Sequence, residues 1–209
     1  MHRAGNRLSS VLQEISMGAG LIILIVLGGL LVVGAIVVVW LIGTYNRLVG
    51  GRNQVKAGWA QIDVLLKRRY DLIPNLVNTV KGYASHEKET LERVIAARNA
   101  AAGAVSRGPE AVAQAEGQLS GALRQLFAVA EAYPNLKADQ SFLQLQGELT
   151  NTENGISGQR QGYNDLVRGF NTSVQVFPTN LIAGLFGFRP EAFFEVTDSL
   201  QREAPSVQF

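Results

Sequence analysis

The hydrophobic pattern of this chain changes character once, near residue 44. Before that point, no residue from Ile15 onward is charged, and Leu21 to Ile42 is almost unbroken Leu, Ile, Val, Gly and Ala. As an α-helix that run rises about 33 Å at roughly 1.5 Å per residue, close to the ~30 Å hydrocarbon core of a bilayer. A secretory leader has a shorter apolar region, roughly 7 to 15 residues, that ends at a small-residue cleavage site. Here the run ends Val39-Trp40-Leu41-Ile42-Gly43-Thr44-Tyr45. The pattern predicts a retained single-pass membrane helix over residues 17–43. Trp40 and Tyr45, with Arg47 just beyond, are candidate membrane-interface residues. Ahead of the span, Leu8, Val11, Leu12 and Ile15 share one helical face, so residues 1–16 read as an extension suited to lying along the membrane surface. Met17 is an alternative start.

After the span the apolar positions fall into heptads. Val55, Trp59, Ile62, Leu66, Arg69, Ile73, Leu76, Val80 and Tyr83 step alternately by four and three, the seam of a helix packed on other helices. The phase survives Pro74, which predicts either one long kinked helix or two nearly coaxial ones broken near Asp71 to Pro74. The seam resumes at Leu91, Val94 and Ile95 and stops at Ser106-Arg107-Gly108-Pro109, a turn sequence. A second helix is expected from about Glu110 to Glu131, with Val112, Leu119, Leu123, Leu126 and Phe127 as its apolar face. Tyr133-Pro134-Asn135 ends it and starts the next, since proline suits a first helical turn. The third seam runs Phe142, Leu145, Leu149, Thr152, Ile156, Gln159, Tyr163, Leu166 and Phe170, extended by Val174 and Phe177 to Pro178. Seams this long need partner helices. The fold class is therefore all-α: one N-terminal transmembrane helix, a long antiparallel bundle of the four-helix type over residues 44–177, and an irregular apolar C-terminal tail over 178–209.

Composition sharpens this picture by exclusion. Charged residues are 17% of the chain, against about 25% in an average soluble domain. The formal charge of +2 removes the basic excess expected of a nucleic-acid partner. Without cysteine there is no disulfide, thiolate metal site or Cys nucleophile. The charge is unevenly spread: residues 44–107 hold 11 Lys and Arg against 5 acids, and residues 108–209 hold 6 against 11. Such opposite halves favour packing of one arm on the other, within a protomer or between neighbours. Arg47, Arg52 and Lys56 follow the span directly, and the positive-inside rule then leans towards a cytoplasmic bundle.

Catalytic chemistry is hard to find. His86-Glu87-Lys88-Glu89-Thr90 falls one ligand short of a zinc-binding HExxH, because position 90 is threonine. There is neither a GxxxxGK[ST] phosphate loop nor a GxSxG elbow. Lys67, Arg68, Arg69 and Asp71 crowd one stretch ahead of Pro74 and read two ways. Ordinary helix-surface pairing would join Lys67 to Asp63 or Asp71. The alternative is a protein-docking patch, with Arg69 on the apolar seam needing a buried acidic mate, Glu148 or Glu153. In the third helix, Thr152, Gln159, Asn151, Asn154, Asn164 and Asn171 load the seam and its edges with polar groups. The tail carries Leu181, Ile182, Leu185, Phe186, Phe188, Phe193 and Phe194. Either it folds back on its own bundle, or it meets a neighbouring protomer, with Phe186 and Phe188 as candidate contacts. Gly184 and Gly187 point to a turn-rich segment.

Several of these stretches together resemble one family. They are Tyr45-Asn46-Arg47-Leu48-Val49, the run from Ala60 through Arg68-Arg69-Tyr70-Asp71-Leu72-Ile73-Pro74-Asn75-Leu76-Val77, Tyr133-Pro134-Asn135-Leu136-Lys137, Asn171-Thr172, and Phe177-Pro178-Thr179-Asn180-Leu181-Ile182 on to Phe188. The pattern is similar to the LemA family of bacterial membrane proteins over roughly residues 44–197. The resemblance implies a membrane helix followed by a helical bundle, and it implies no reaction. Relatives have been associated with membrane remodelling and with genes for membrane-bound proteases. The expectation is a non-enzymatic scaffold in the bacterial inner membrane that self-associates through its bundle. Its partners would be membrane lipid and copies of itself. The alternative is a monomeric adaptor that recruits a membrane protein such as a protease. No cofactor, metal, nucleic acid or small-molecule substrate is expected.

Overall fold

The computed structural model describes the backbone of residues 2–195 and the side chains from Leu24 onward. Its α-helices are α1 (His2–Tyr83), α2 (Lys88–Ala104), α3 (Pro109–Ala130), α4 (Pro134–Lys137), α5 (Gln140–Gln175) and α6 (Thr179–Leu185), with a 3-10 turn at Val105–Arg107 between α2 and α3. There is no strand among the described residues. Two compact units result, Met1–Arg47 and Leu48–Phe209. The apolar face expected at Leu8, Val11, Leu12 and Ile15 lies outside the described side chains, and the tail beyond Glu195 lies outside the described residues altogether.

In the first unit, every described side chain from Leu24 to Gly43 is exposed. Its most apolar window has a mean hydropathy of 3.0, and none of that window is buried. A helix closes its own backbone hydrogen bonds, so the only groups left to be solvated here are hydrocarbon side chains. By length and composition this segment is able to cross a membrane.

The second unit is built on an antiparallel pair, α5 against the α1 residues from Leu48 onward. Glycines mark the approach. A methyl group on Gly51 would meet Phe170 at 3.2 Å, one on Gly58 would meet Leu166 at 3.0 Å, and one on Gly155 would meet Leu65 at 3.3 Å. Trp59 lies against Tyr163 with ring centroids 5.6 Å apart. Two different pieces of chain cover this pair. Over one half lies the α2–α3 hairpin: Arg98 of α2 reaches the Tyr70 backbone, Glu116 of α3 reaches Arg69, and Phe127 of α3 meets Phe142 of α5. Over the other half lies the tail, with Arg52 above the Phe188 ring at 4.9 Å and Trp59 edge-on to Phe194. The first half is therefore a four-helix bundle and the second a helix pair closed by an extended strap.

The heptad seams account for the core. Val55, Ile62, Leu66, Ile73, Leu76 and Val80 of α1 are buried, as are Val112, Leu119, Leu123 and Leu126 of α3 and Phe142, Leu149, Ile156, Tyr163 and Phe170 of α5. Three seam positions depart from expectation, since Tyr83, Gln159 and Phe177 are exposed. Thr152 is buried and returns its hydroxyl to the Glu148 carbonyl at 2.8 Å, but Gln159 is exposed. Ile156 and Tyr163 are two helical turns apart and keep the face between them, so the Gln159 amide sits at the seam's edge, where water solvates it cheaply. The third long helix also begins later than Pro134. A one-turn α4 occupies Pro134–Lys137, and Asp139 then caps α5, accepting the Phe142 N–H at 2.9 Å. That bond, followed by the Tyr83 hydroxyl, holds the Asp139 carboxyl below its usual range.

Pro74 lies inside α1, which runs on to Tyr83 without a break. A proline has no N–H, so the carbonyl four residues back, on Tyr70, loses its helical donor. Arg98 supplies the replacement: its Nε–H donates to the Tyr70 carbonyl at 3.0 Å. One long helix is thus the outcome, stitched from α2 at the position where its own ladder fails.

Candidate functional site

The stretch singled out in the sequence, Lys67 to Asp71, faces two ways. Lys67 and Arg68 point outward, with side chains 71% and 63% exposed. Lys67 pairs with Asp63 at 3.2 Å, four residues back on the same helix. Arg68 reaches Glu148 of α5 at 3.4 Å. Asp71 is also exposed and lies 3.9 Å from Arg98, not against Lys67. Arg69 turns inward, where its side chain is only 5% exposed. It is a residue of the interior and forms no part of the outer surface that Lys67 and Arg68 present.

Around Arg69 a buried polar layer is assembled from three helices. Its Nη1 donates to Glu116 Oε2 of α3 at 2.6 Å and also pairs with Glu153 of α5. Its Nη2 donates to the Ser120 hydroxyl at 2.9 Å. The neighbouring Tyr70 hydroxyl donates to the second Glu116 oxygen at 2.8 Å. Burial raises the Glu116 carboxyl above its ordinary value, against the opposing pull of Arg69 and of the Tyr70 hydrogen bond. Burial, with the adjacent carboxylate, also pushes the Tyr70 phenol far up, so it remains a donor. The layer joins an acid, a phenol, a hydroxyl and a guanidinium from three helices, and only the Arg69 Nε is left without a partner there.

Of the two acids expected as the buried mate, Glu148 pairs with Arg68 instead and Glu153 reaches Arg69 but is half exposed; the buried mate is Glu116, which was overlooked. The signal was present, because Glu116 stands four after Val112 and three before Leu119. It therefore occupies a seam position of α3, as Arg69 occupies one of α1.

The polar residues of α5 serve the tail. Asn171 clamps Glu191 twice, its amide donating to the carbonyl at 2.9 Å and accepting from the N–H at 2.7 Å. Asn164 does the same to Phe194, at 3.2 and 2.9 Å. The Tyr163 hydroxyl donates to the Ala192 carbonyl at 2.8 Å, and burial followed by the Glu191 charge pushes that phenol up to about 12. These side chains imitate strand pairing for a segment that has none of its own. The tail therefore folds onto its own bundle through Ile182, Ala183, Phe188 and Phe194, all buried. Phe188 is part of that core, whereas Phe186 stays 56% exposed. Asn151 and Asn154 face outward.

In the first unit, Trp40 and Tyr45 are 41% and 38% exposed and Arg47 is exposed. His86 stands exposed in the turn between α1 and α2. Among the described residues, no three His, Cys, Asp or Glu side chains are grouped to hold a metal ion.

Comparison with known families matches residues 58–209 to the LemA family. The chain belongs to the LemA family. The match takes in the Arg69 layer, both asparagine clamps and the tail, and it begins after the apolar helix. Among relatives, a protein named LemA from Metamycoplasma hominis is 26% identical over 159 residues, covering 75% of this chain and 71% of the relative. Magnetosome protein MamQ 2 of Paramagnetospirillum magneticum is 24% identical over 194 residues, covering 79% and 71%. Magnetosome protein MamQ of Magnetospirillum gryphiswaldense is 22% identical over 174 residues, covering 72% and 64%.

Proposed function

We propose that this LemA-family chain is a non-enzymatic scaffold, anchored in the cell membrane by its apolar helix and self-associating through its bundle. The observation that carries the anchoring is the exposure of every described side chain from Leu24 to Gly43, a hydrocarbon surface that water does not solvate well. Family membership and that helix together describe a membrane-associated protein. The lack of a catalytic role is supported by the interior, where the buried acid, phenol and guanidinium are committed to one another.

Self-association is supported by the outer face. Lys67 and Arg68 remain mostly exposed despite their partners, and pairs of that kind contribute little within a protomer. They leave a basic face on α1 that suits the acidic second half of a neighbouring chain. The basic residues just after the span support a cytoplasmic placement of the bundle.

The test is the mass distribution of the full chain in nanodiscs, beside a Lys67→Glu, Arg68→Glu variant. A discrete oligomer that shrinks on charge reversal supports the scaffold. Monomers at every concentration overturn it and leave the adaptor, for which the same reversal would change co-purifying membrane proteins.

A further inference from the structure

We infer that the turn and short helix at residues 176–185 form a second membrane contact, a hydrophobic tip that enters the headgroup and acyl boundary of an anionic bilayer. The inference rests on the anchoring reading above. The tip belongs wholly to the second unit. Phe177, Leu181 and Leu185 are 78%, 64% and 79% exposed, and Phe177 and Leu185 are the most exposed of the large hydrophobic residues of that unit. They recur every fourth residue, and Leu181 and Leu185 share a face of α6. Ile182 and Ala183, on the opposite face, are buried in the core. The segment is therefore held rigidly by its inner side while it presents its outer side undressed. A soluble surface rarely leaves such a patch open.

Position and charge select the occupant. The tip is at the end of the second unit where that unit's chain begins: Phe170, in the last turns of α5, packs on Gly51, and Phe188, just past α6, lies under Arg52. Leu48 follows the last apolar residue of the span, Ile42, by six residues, a tether of at most about 20 Å even when fully extended. The chain thus enters this end of the unit only six residues after the apolar run ends in the sequence. The two stretches that build this end, 48–62 and 166–190, contain Arg52, Lys56, Arg168 and Arg189 and no acidic residue at all. Arg168 pairs with Asp165 just outside these stretches, which leaves Arg52, Lys56 and Arg189 as the basic groups beside the tip's aromatic and aliphatic side chains, the dress of an interfacial anchor on anionic lipid. A second copy is a poorer occupant, because a self-complementary contact would bring like charges together.

The full chain has no cysteine, so a single one can be placed at will. Phe177→Cys, Leu181→Cys and Leu185→Cys would each carry an environment-sensitive fluorophore, beside Leu31→Cys in the span and Leu143→Cys near the start of α5. Each is placed in nanodiscs of phosphatidylglycerol and phosphatidylcholine, with and without doxyl-labelled lipid. The expected result is quenching at 181 and 185 several-fold above that at 143, reduced when phosphatidylglycerol is omitted or Lys56→Gln and Arg189→Gln are introduced. Quenching at 31 with the tip no different from 143 overturns the inference and leaves the anchor standing. No quenching at 31 removes the anchor and the inference with it. Tip labels that instead couple to one another between chains assign the surface to a second copy and also overturn it.

Discussion

Arg98 donates to the backbone carbonyl of Tyr70, the one acceptor in its helix that Pro74 leaves unserved. Removing the donor while the proline remains should therefore strand a buried carbonyl, at a cost of about 1–3 kcal/mol. Arg98→Met is expected to destabilise the bundle by that amount. The same substitution in a Pro74→Ala background should cost much less, because residue 74 regains an N–H. A double-mutant cycle on thermal unfolding of the full chain in nanodiscs measures the coupling, and strictly additive effects would refute the stitch.

The Arg69–Glu116 pair makes a different prediction, since both side chains are almost fully buried. Deleting one partner leaves an uncompensated charge, and Arg69→Met alone should cost about 3–5 kcal/mol. Replacing both, with Arg69→Met and Glu116→Leu, should recover most of that loss, because well-packed apolar groups often equal a buried ion pair in stability. Denaturant midpoints of the single and double variants decide the matter. A double variant as unstable as the single one would mean that the layer is needed for more than neutral packing.

Glu116 also gives the bundle a pH dependence of unusual sign. Its carboxyl is raised from an ordinary 4.5, chiefly by burial, so the folded state holds this proton to higher pH than the unfolded chain does. The stabilisation from that group is fully present below its unfolded value and is lost as pH rises through the raised one. Glu116→Gln cannot titrate, so the melting temperature of the native chain relative to this variant should fall as pH climbs from about 4.5. A difference that grows with pH would show the attraction of Arg69 outweighing burial.

The asparagine clamps predict a local effect. Asn164→Ala and Asn171→Ala each remove a side chain that serves one N–H and one carbonyl of the tail. Both substitutions should raise hydrogen exchange at Glu191 and Phe194 while amides around Arg69 keep their protection. Asn171→Asp should be no better than alanine, because it keeps the acceptor and loses the donor. Exchange mass spectrometry resolves the two regions, and uniform loss of protection would refute a local role.

Much of this architecture was readable in the chain. The seams of α1, α3 and α5 are heptads dense enough that only helices packed on helices satisfy them, and the apolar run is long and apolar enough to cross a membrane. Arg69 betrayed its burial by standing on the seam between Leu66 and Ile73. What the pattern left dark were contacts that pair side chains with backbone across long separations. Nothing in the spacing of Asn164 and Asn171 says that they grip an irregular segment twenty to thirty residues later, since an asparagine near a seam looks the same whether it meets water or a carbonyl. The tail gave no period to read, because an extended strap held by neighbours has no repeat of its own. Asp71 went astray for a related reason: local i,i+4 geometry offered Lys67, but tertiary packing brought Arg98 from the next helix instead.

The two covers of the α1–α5 pair come from chain segments that do not depend on one another for their hydrogen bonds. Covers held by separate sets of bonds are expected to open with separate free energies, so lifting the strap need not unzip α2 from α3. Lifting the strap would uncover Trp59 and Tyr163, and it would also remove Phe194 from the wall of the cavity that Arg69 and Glu116 line. A LemA-family bundle of this construction would work as two latches on a common post, and the strap is the latch that leads on from the exposed turn at residues 176–185.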